Sequence, residues 1–287
     1  MARPSGLAAL DTLIGFRSIG EVDRNPANVR PAQRGDKHPA DYMYREIPAV
    51  AAADADHVTV ITDTLAAMDR NEVEIGLITL GHPVALEAAR LFPDRFVLAT
   101  QVDPNDVVGA VRQVRADHAA HGVRAVGAFP AGLSPAAPLD DARWFPVFAT
   151  CVELGLPLFV TVGVPGPRVP MASQQVEALD AVMYDFPDLV LVMRHGGEPW
   201  TDLAVKLMLK WPGLHYSTSA FAPKHYPAAI VDYANTRGVD KVLYGGYHPY
   251  ALELDRIFTE MDDVPFRDHV WEPFLRGNAA RVLGLAP

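Results

Sequence analysis

Eight short apolar runs, separated by stretches with helical spacing, set the tightest limit on what this chain can fold into. They span residues 7–15, 74–81, 95–103, 123–132, 156–163, 189–197, 213–220 and 240–246. Each is nearly continuous in hydrophobicity rather than strictly alternating, the pattern of parallel strands covered by helices. The segments between them, such as VVGAVRQVRADHAAHG and WFPVFATCVELG, place apolar residues at helical intervals, and most close on Gly or Pro, where a helix stops. Strand and helix alternating eight times predict an α/β protein of one domain, a (β/α)8 TIM barrel over residues 1–287. An open doubly wound sheet is the alternative architecture, but no glycine-rich dinucleotide fingerprint supports it.

One stretch breaks the rhythm. Residues 16–56 carry mixed charge, prolines and tyrosines, and read as an extended lid or contact loop after the first strand. Composition bounds the partners. A formal charge of −10 opposes binding to nucleic acid or an anionic membrane, no Lys/Arg block offsets it, and no apolar segment is long enough to span a bilayer. A cytoplasmic location is the expectation. Cys151 is the single cysteine, which excludes an intramolecular disulfide and a multi-cysteine zinc site, and its apolar helical neighbours mark it as core. A small-molecule substrate is the partner that this composition favours.

In barrels of this kind chemistry gathers where the strands end at their C-terminal side. His38, His82, His195, His225 and His248 lie at or beyond predicted strand ends, where imidazoles bind metals or exchange protons near neutral pH. His195 stands out, because a polar ring that closes the run LVLVM and precedes two glycines has little packing rationale. Arg168, between prolines in VPGPRVP, and Lys224 in APKHYP suit a carboxylate or phosphate on a substrate. Phe129 and Trp200, with Phe221 and Tyr250, are candidates for an apolar wall. The plain alternatives are turn residues, solvated charges and ordinary packing.

The segments MDRNEVEIGLI, FPDRFVLATQVDP, HGGEPWTDL, VLYGGYHP and FLRGNAARVLGL, in this order and spacing, resemble the amidohydrolase-2 family. This is the branch of the metal-dependent hydrolase superfamily related to aminocarboxymuconate-semialdehyde decarboxylase. The resemblance covers nearly the whole chain and implies a (β/α)8 barrel, a divalent metal that activates water or orients a carboxylated substrate, and often a homodimer.

The chain departs from that pattern at the metal. The family's first strand carries Asp-x-His-x-His, where this chain has Asp11, Leu13 and Gly15; the fifth-strand histidine aligns near Thr161, and the aspartate after the eighth strand is replaced at Tyr247. Asp11 and His195 remain, fewer than the three protein ligands of a catalytic zinc. The expectation is therefore a hydrolase or carboxy-lyase without the usual metal, acting on an anionic conjugated or activated carboxylic substrate. His195 would move the proton with Asp11 as its partner, and Tyr247 and His248 would donate to a developing oxyanion. Arg168, Lys224 and His225 would hold the anion between Phe129 and Trp200. Two other readings stay open: a zinc enzyme with relocated ligands at His195, His225 and His248, and a barrel that binds a small molecule without catalysis.

Overall fold

Each of the eight apolar runs holds one strand, β2 starting one residue ahead of its run: β1 (Ala9–Asp11), β2 (Val73–Thr79), β3 (Phe96–Gln101), β4 (Ala125–Ala128), β5 (Leu158–Thr161), β6 (Leu191–Arg194), β7 (Leu214–Ser217) and β8 (Val242–Leu243). All pairs are parallel and follow chain order from β1 to β8. The computed structural model describes residues 3–20, 23–44, 47 and 49–285; Glu21, Val22, Arg45, Glu46 and Pro48 of the 16–56 segment lie outside the described residues.

The stretches of helical spacing between the strands hold the helices His57–Arg70, Ala85–Leu91, Val107–His121, Phe145–Leu154, Ala178–Asp185, Thr201–Lys210 and Ala228–Asn235. Their ends follow local chemistry. Asp56 accepts a hydrogen bond from the Thr59 amide at the start of the first, and Gly122 and Gly155 end the third and fourth in left-handed conformations. The connections that close β8 back to β1 lie just beyond the strands proper. Thr12 N donates to Tyr244 O at 3.3 Å, Tyr247 N to Leu13 O at 2.8 Å and Gly15 N to His248 O at 2.8 Å. The single domain is thus a TIM barrel with its seam at β1 and β8.

Strand alternation layers the interior. Leu10, Leu77, Ala99, Ala125, Phe159, Val192 and Leu243 form one apolar cluster with Ala279, Ala280, Val282 and Leu283 of the C-terminal helix Asn278–Val282 and its following residue. Two residues further along their strands, Thr79, Gln101, Thr161 and Arg194 line the cavity at the mouth. The floor of that cavity is therefore polar because the period of a strand is two. The outward set, including Ile78, Leu158, Val160, Leu191 and Met193, packs with the helices and contains buried Cys151, whose thiol burial pushes up to about 12.

His215 on β7 is buried, bonds Gly213 O at 3.1 Å through Nδ1, and is pushed down to about 4, chiefly by burial and then by Lys241. The unfolded chain takes up that proton near 6.5, so this contribution to stability is present above 6.5 and is lost as pH falls towards 4, at most about 3 kcal/mol. Asp11, raised by burial, works in the opposite direction above its ordinary 3.8. Thermal midpoints measured across pH 4–7 should fall on the acid side, with a shallower slope in His215→Gln; equal slopes would remove His215 as a cause.

Candidate active site

A cavity of about 2490 Å³ opens at the C-terminal ends of the strands. The 16–56 segment lies over it, carrying the short helices Pro31–Arg34 and Ala40–Met43 and contributing Phe16, Arg17, Arg34, His38 and Tyr44 to its lining. Its anchors reach separate loops of the barrel. Asn28 Nδ2 donates to Ala131 O at 2.6 Å, Tyr44 OH to Ala220 O at 2.9 Å, and Arg168 Nη1 to Gln33 O at 3.1 Å and Arg34 O at 2.7 Å.

His195 stands at the end of β6 with φ of 63°, followed by Gly196 at 84° and Gly197 at 65°. The two glycines explain the HGG sequence: three successive left-handed residues turn the chain sharply at the strand end, and a Cβ at Gly196 would collide with the Phe221 ring. Ala220 and Tyr247 also have positive φ and also line the cavity. Backbone strain gathered on one wall is expected where side chains are held for function.

The His195 ring is half-buried, with one side on the cavity. Ser219 Oγ accepts from the His195 amide at 3.3 Å and lies 3.3 Å from Nδ1. A hydroxyl can donate to Nδ1 or accept from it, so Ser219 supports either tautomer. The Tyr247 ring meets His195 edge-on at 5.1 Å between centroids. Burial, then the adjacent Arg194, pushes His195 down to about 4, and the ring is neutral at neutral pH.

Arg194 is the residue that the sequence reading passed over. Only 6% exposed, it lies over Phe159 at 4.6 Å and donates from Nη2 to Thr12 O at 2.8 Å. Its Nε is buried without a hydrogen-bond partner. Burial lowers it to about 10, which leaves it charged at neutral pH.

The structure gathers His38, His82, His195, His225, Arg168, Phe129, Phe221, Tyr247 and Tyr250 on the cavity and places Asp11, His248, Lys224 and Trp200 elsewhere. Asp11 is fully buried on the other face of β1, where Oδ1 accepts from Gly246 N at 2.7 Å and Leu13 N at 2.9 Å; burial raises its pKa. His248 is buried outside the cavity lining, with Nδ1 3.0 Å from Glu253 Oε2. Lys224 points to Glu260 at 3.3 Å, and Trp200 packs on the outer core at the start of the helix Thr201–Lys210. Arg168 reaches the cavity, but its guanidinium holds the lid backbone, so the expected Arg168–Lys224 clamp does not form.

The amidohydrolase family model, of the second amidohydrolase group, matches residues 25–285. The chain belongs to the amidohydrolase-2 family. Among solved structures, an uncharacterized TIM-barrel protein of Bordetella bronchiseptica, Bb4693, is similar with a TM-score of 0.77 at 22% identity, covering 97% of this chain and 99% of that one. The 5-carboxyvanillate decarboxylase LigW of Sphingomonas paucimobilis follows with a TM-score of 0.66 at 18% identity over 98% and 100% of the two chains. Its counterpart LigW2 of Novosphingobium aromaticivorans, solved with bound manganese, has a TM-score of 0.65 at 17% identity over 98% of each chain. No curated protein matches the sequence significantly.

In this amidohydrolase-2 protein the donors do not fit a divalent metal. Leu13, Gly15 and Tyr247 occupy three of the positions identified above, and the space beside Gly15 is filled by Tyr250, whose hydroxyl a Cβ there would strike. Relocation fares no better: His248 sits behind the cavity and His225 on its exposed rim. Among the described residues no group of three His, Cys, Asp or Glu side chains converges.

Proposed function

We propose that this amidohydrolase-2 protein is a carboxy-lyase or hydrolase of small, conjugated or activated carboxylic acids, in which His195 moves the proton without the family's usual metal. The observation that carries the reading is the setting of His195: a neutral imidazole at a strained strand end, backed by Ser219 and turned onto a lid-covered cavity. Such a ring can take a proton from water that attacks an activated carbonyl. Once protonated, it can return the proton to a carbon that loses CO2. An anion bound beside it favours the imidazolium and offsets part of the effect of burial. Phe129, Phe221 and Tyr247 supply flat surfaces to a conjugated ring. Similarity to 5-carboxyvanillate decarboxylases makes aromatic acids the first compounds to try.

The test is turnover of a panel of 5-carboxyvanillate, related hydroxybenzoic acids and aryl thioesters, followed by CO2 release and chromatography, before and after dialysis against chelator. Turnover should survive dialysis, with substoichiometric metal by elemental analysis. Activity lost to the chelator and restored by manganese or zinc would overturn the metal-free reading.

A further inference from the structure

We infer that Arg194 is the anion-binding residue of this cavity, a fixed cation that takes one carboxylate of the substrate at the barrel floor. The inference rests on the proposed carboxylic-acid chemistry and adds a residue and a ligand group to it. The first argument is the cost of burial. Arg194 is only 6% exposed, and a buried guanidinium is strongly disfavoured without a direct counterion; among the described residues no carboxylate lies within ion-pair distance of it, and the buried Asp11 carboxyl favours its charge only from further away. The chain is acidic, with 35 Asp and Glu against 25 Lys and Arg, so carboxylates are not scarce. Other arginines on the cavity wall already have partners: Arg17 with Glu253, Arg24 with Asp41, Arg34 with Asp23 and Arg256 with Glu260.

The second argument is donor capacity. A guanidinium has five N–H donors. One bond, from Nη2 to Thr12 O, fixes the plane, and Phe159 supports its face. The buried Nε has no acceptor. The group is thus oriented but unsatisfied, while its residue lines the cavity.

The third argument is position. Thr12, which anchors the guanidinium, directly precedes Leu13, where the family pattern has its first histidine ligand. The positive charge that a metal gives the relatives' pattern is supplied here by a side chain that reaches Thr12 from the end of β6. Aromatic walls at Phe129, Phe221, Tyr247 and Tyr250 favour a planar carboxylate, which guanidinium forks bind in two-point fashion, over a bare inorganic anion.

Isothermal titration calorimetry with benzene-1,3-dicarboxylate, its neutral diamide and phenyl phosphate tests the assignment. The wild type should bind the dicarboxylate saturably and the diamide far more weakly. Arg194→Met should weaken dicarboxylate binding about 100-fold, and Arg194→Lys should recover part of it. In case Arg194→Met does not fold, the wild-type protein labelled with 15N-arginine gives an independent reading. One arginine Nε–H resonance, assigned by its loss in Arg194→Lys, should shift on adding dicarboxylate. Absence of saturable binding, equal affinity for acid and diamide, an unmoved resonance, unchanged affinity in a folded Met variant, or tighter binding of phenyl phosphate would each overturn the inference. His195→Asn should keep dicarboxylate affinity, so failure of the proton-transfer reading shows in turnover alone and leaves this result standing.

Discussion

Replacing His195 with Asn should reduce turnover about 1000-fold while leaving the thermal midpoint nearly unchanged. Asn is the appropriate substitution because residue 195 has φ of 63°, a conformation that Asn tolerates and that Ala adopts only under strain. The amide side chain can still bond Ser219, so the loss isolates proton transfer from folding. The pH profile adds a second readout. If His195 takes a proton, kcat/KM of the wild type has an acid limb near the free-enzyme value of about 4, and the limb vanishes in the variant. If it gives a proton, the limb lies on the alkaline side. The direction therefore separates attack by water from protonation at carbon, and retained turnover in His195→Asn would remove the proposed role.

Asp11→Ala should cost about 3 kcal/mol and lower the thermal midpoint by roughly 6–12 °C. Asp11 Oδ1 satisfies two buried amides, Leu13 N and Gly246 N, on opposite sides of the seam. Removing it leaves both without an acceptor at the point where β1 meets the chain after β8. Asp11→Asn keeps that oxygen and should retain most of the stability. Its activity then decides what the carboxylate does: turnover within a few-fold of wild type makes Asp11 a positioning residue that shapes the floor from behind. A large loss in a stable Asn variant would return it to the proton path. Calorimetry and turnover on the same two proteins settle the matter.

The barrel was legible because parallel strands covered by helices leave uninterrupted apolar runs, and LPLFVTVG and LVLVMRHGG did yield β5 and β6. The strand ends were shorter than the runs, since the turn residues on either side are also apolar. His195 was legible for a related reason, being a polar ring where packing needs none. Arg194, its neighbour, was not. The run LVLVM shows no alternation that would reveal which face the next residue takes, and only the register with β5 turns the guanidinium inward over Phe159. Asp11 failed in the opposite sense: its carboxyl is buried and taken up by the Gly246 amide, 235 positions along the chain, which no local pattern encodes. The roles of Lys224 and Arg168 depended on partners far along the chain, Glu260 in one case and the carbonyls of Gln33 and Arg34 in the other. Tyr250 filling the space beside Gly15 is a pairing across 235 positions, invisible in either segment by itself.

The lid is tied down in a particular way. The bonds from Asn28 to Ala131, from Tyr44 to Ala220 and from Arg168 to Gln33 and Arg34 all end on main-chain oxygens. A peptide carbonyl is the same acceptor whatever side chain its residue carries, and it does not titrate. Mutational drift at Ala131, Ala220, Gln33 or Arg34 therefore leaves these tethers intact as long as the backbone path is kept. What must be conserved is the donor side: Asn28, Tyr44, Arg168 and the side-chain pair Arg17–Glu253 hold the cover, so a change of substrate on this scaffold can rewrite the rest of the cavity wall without a new way of closing it.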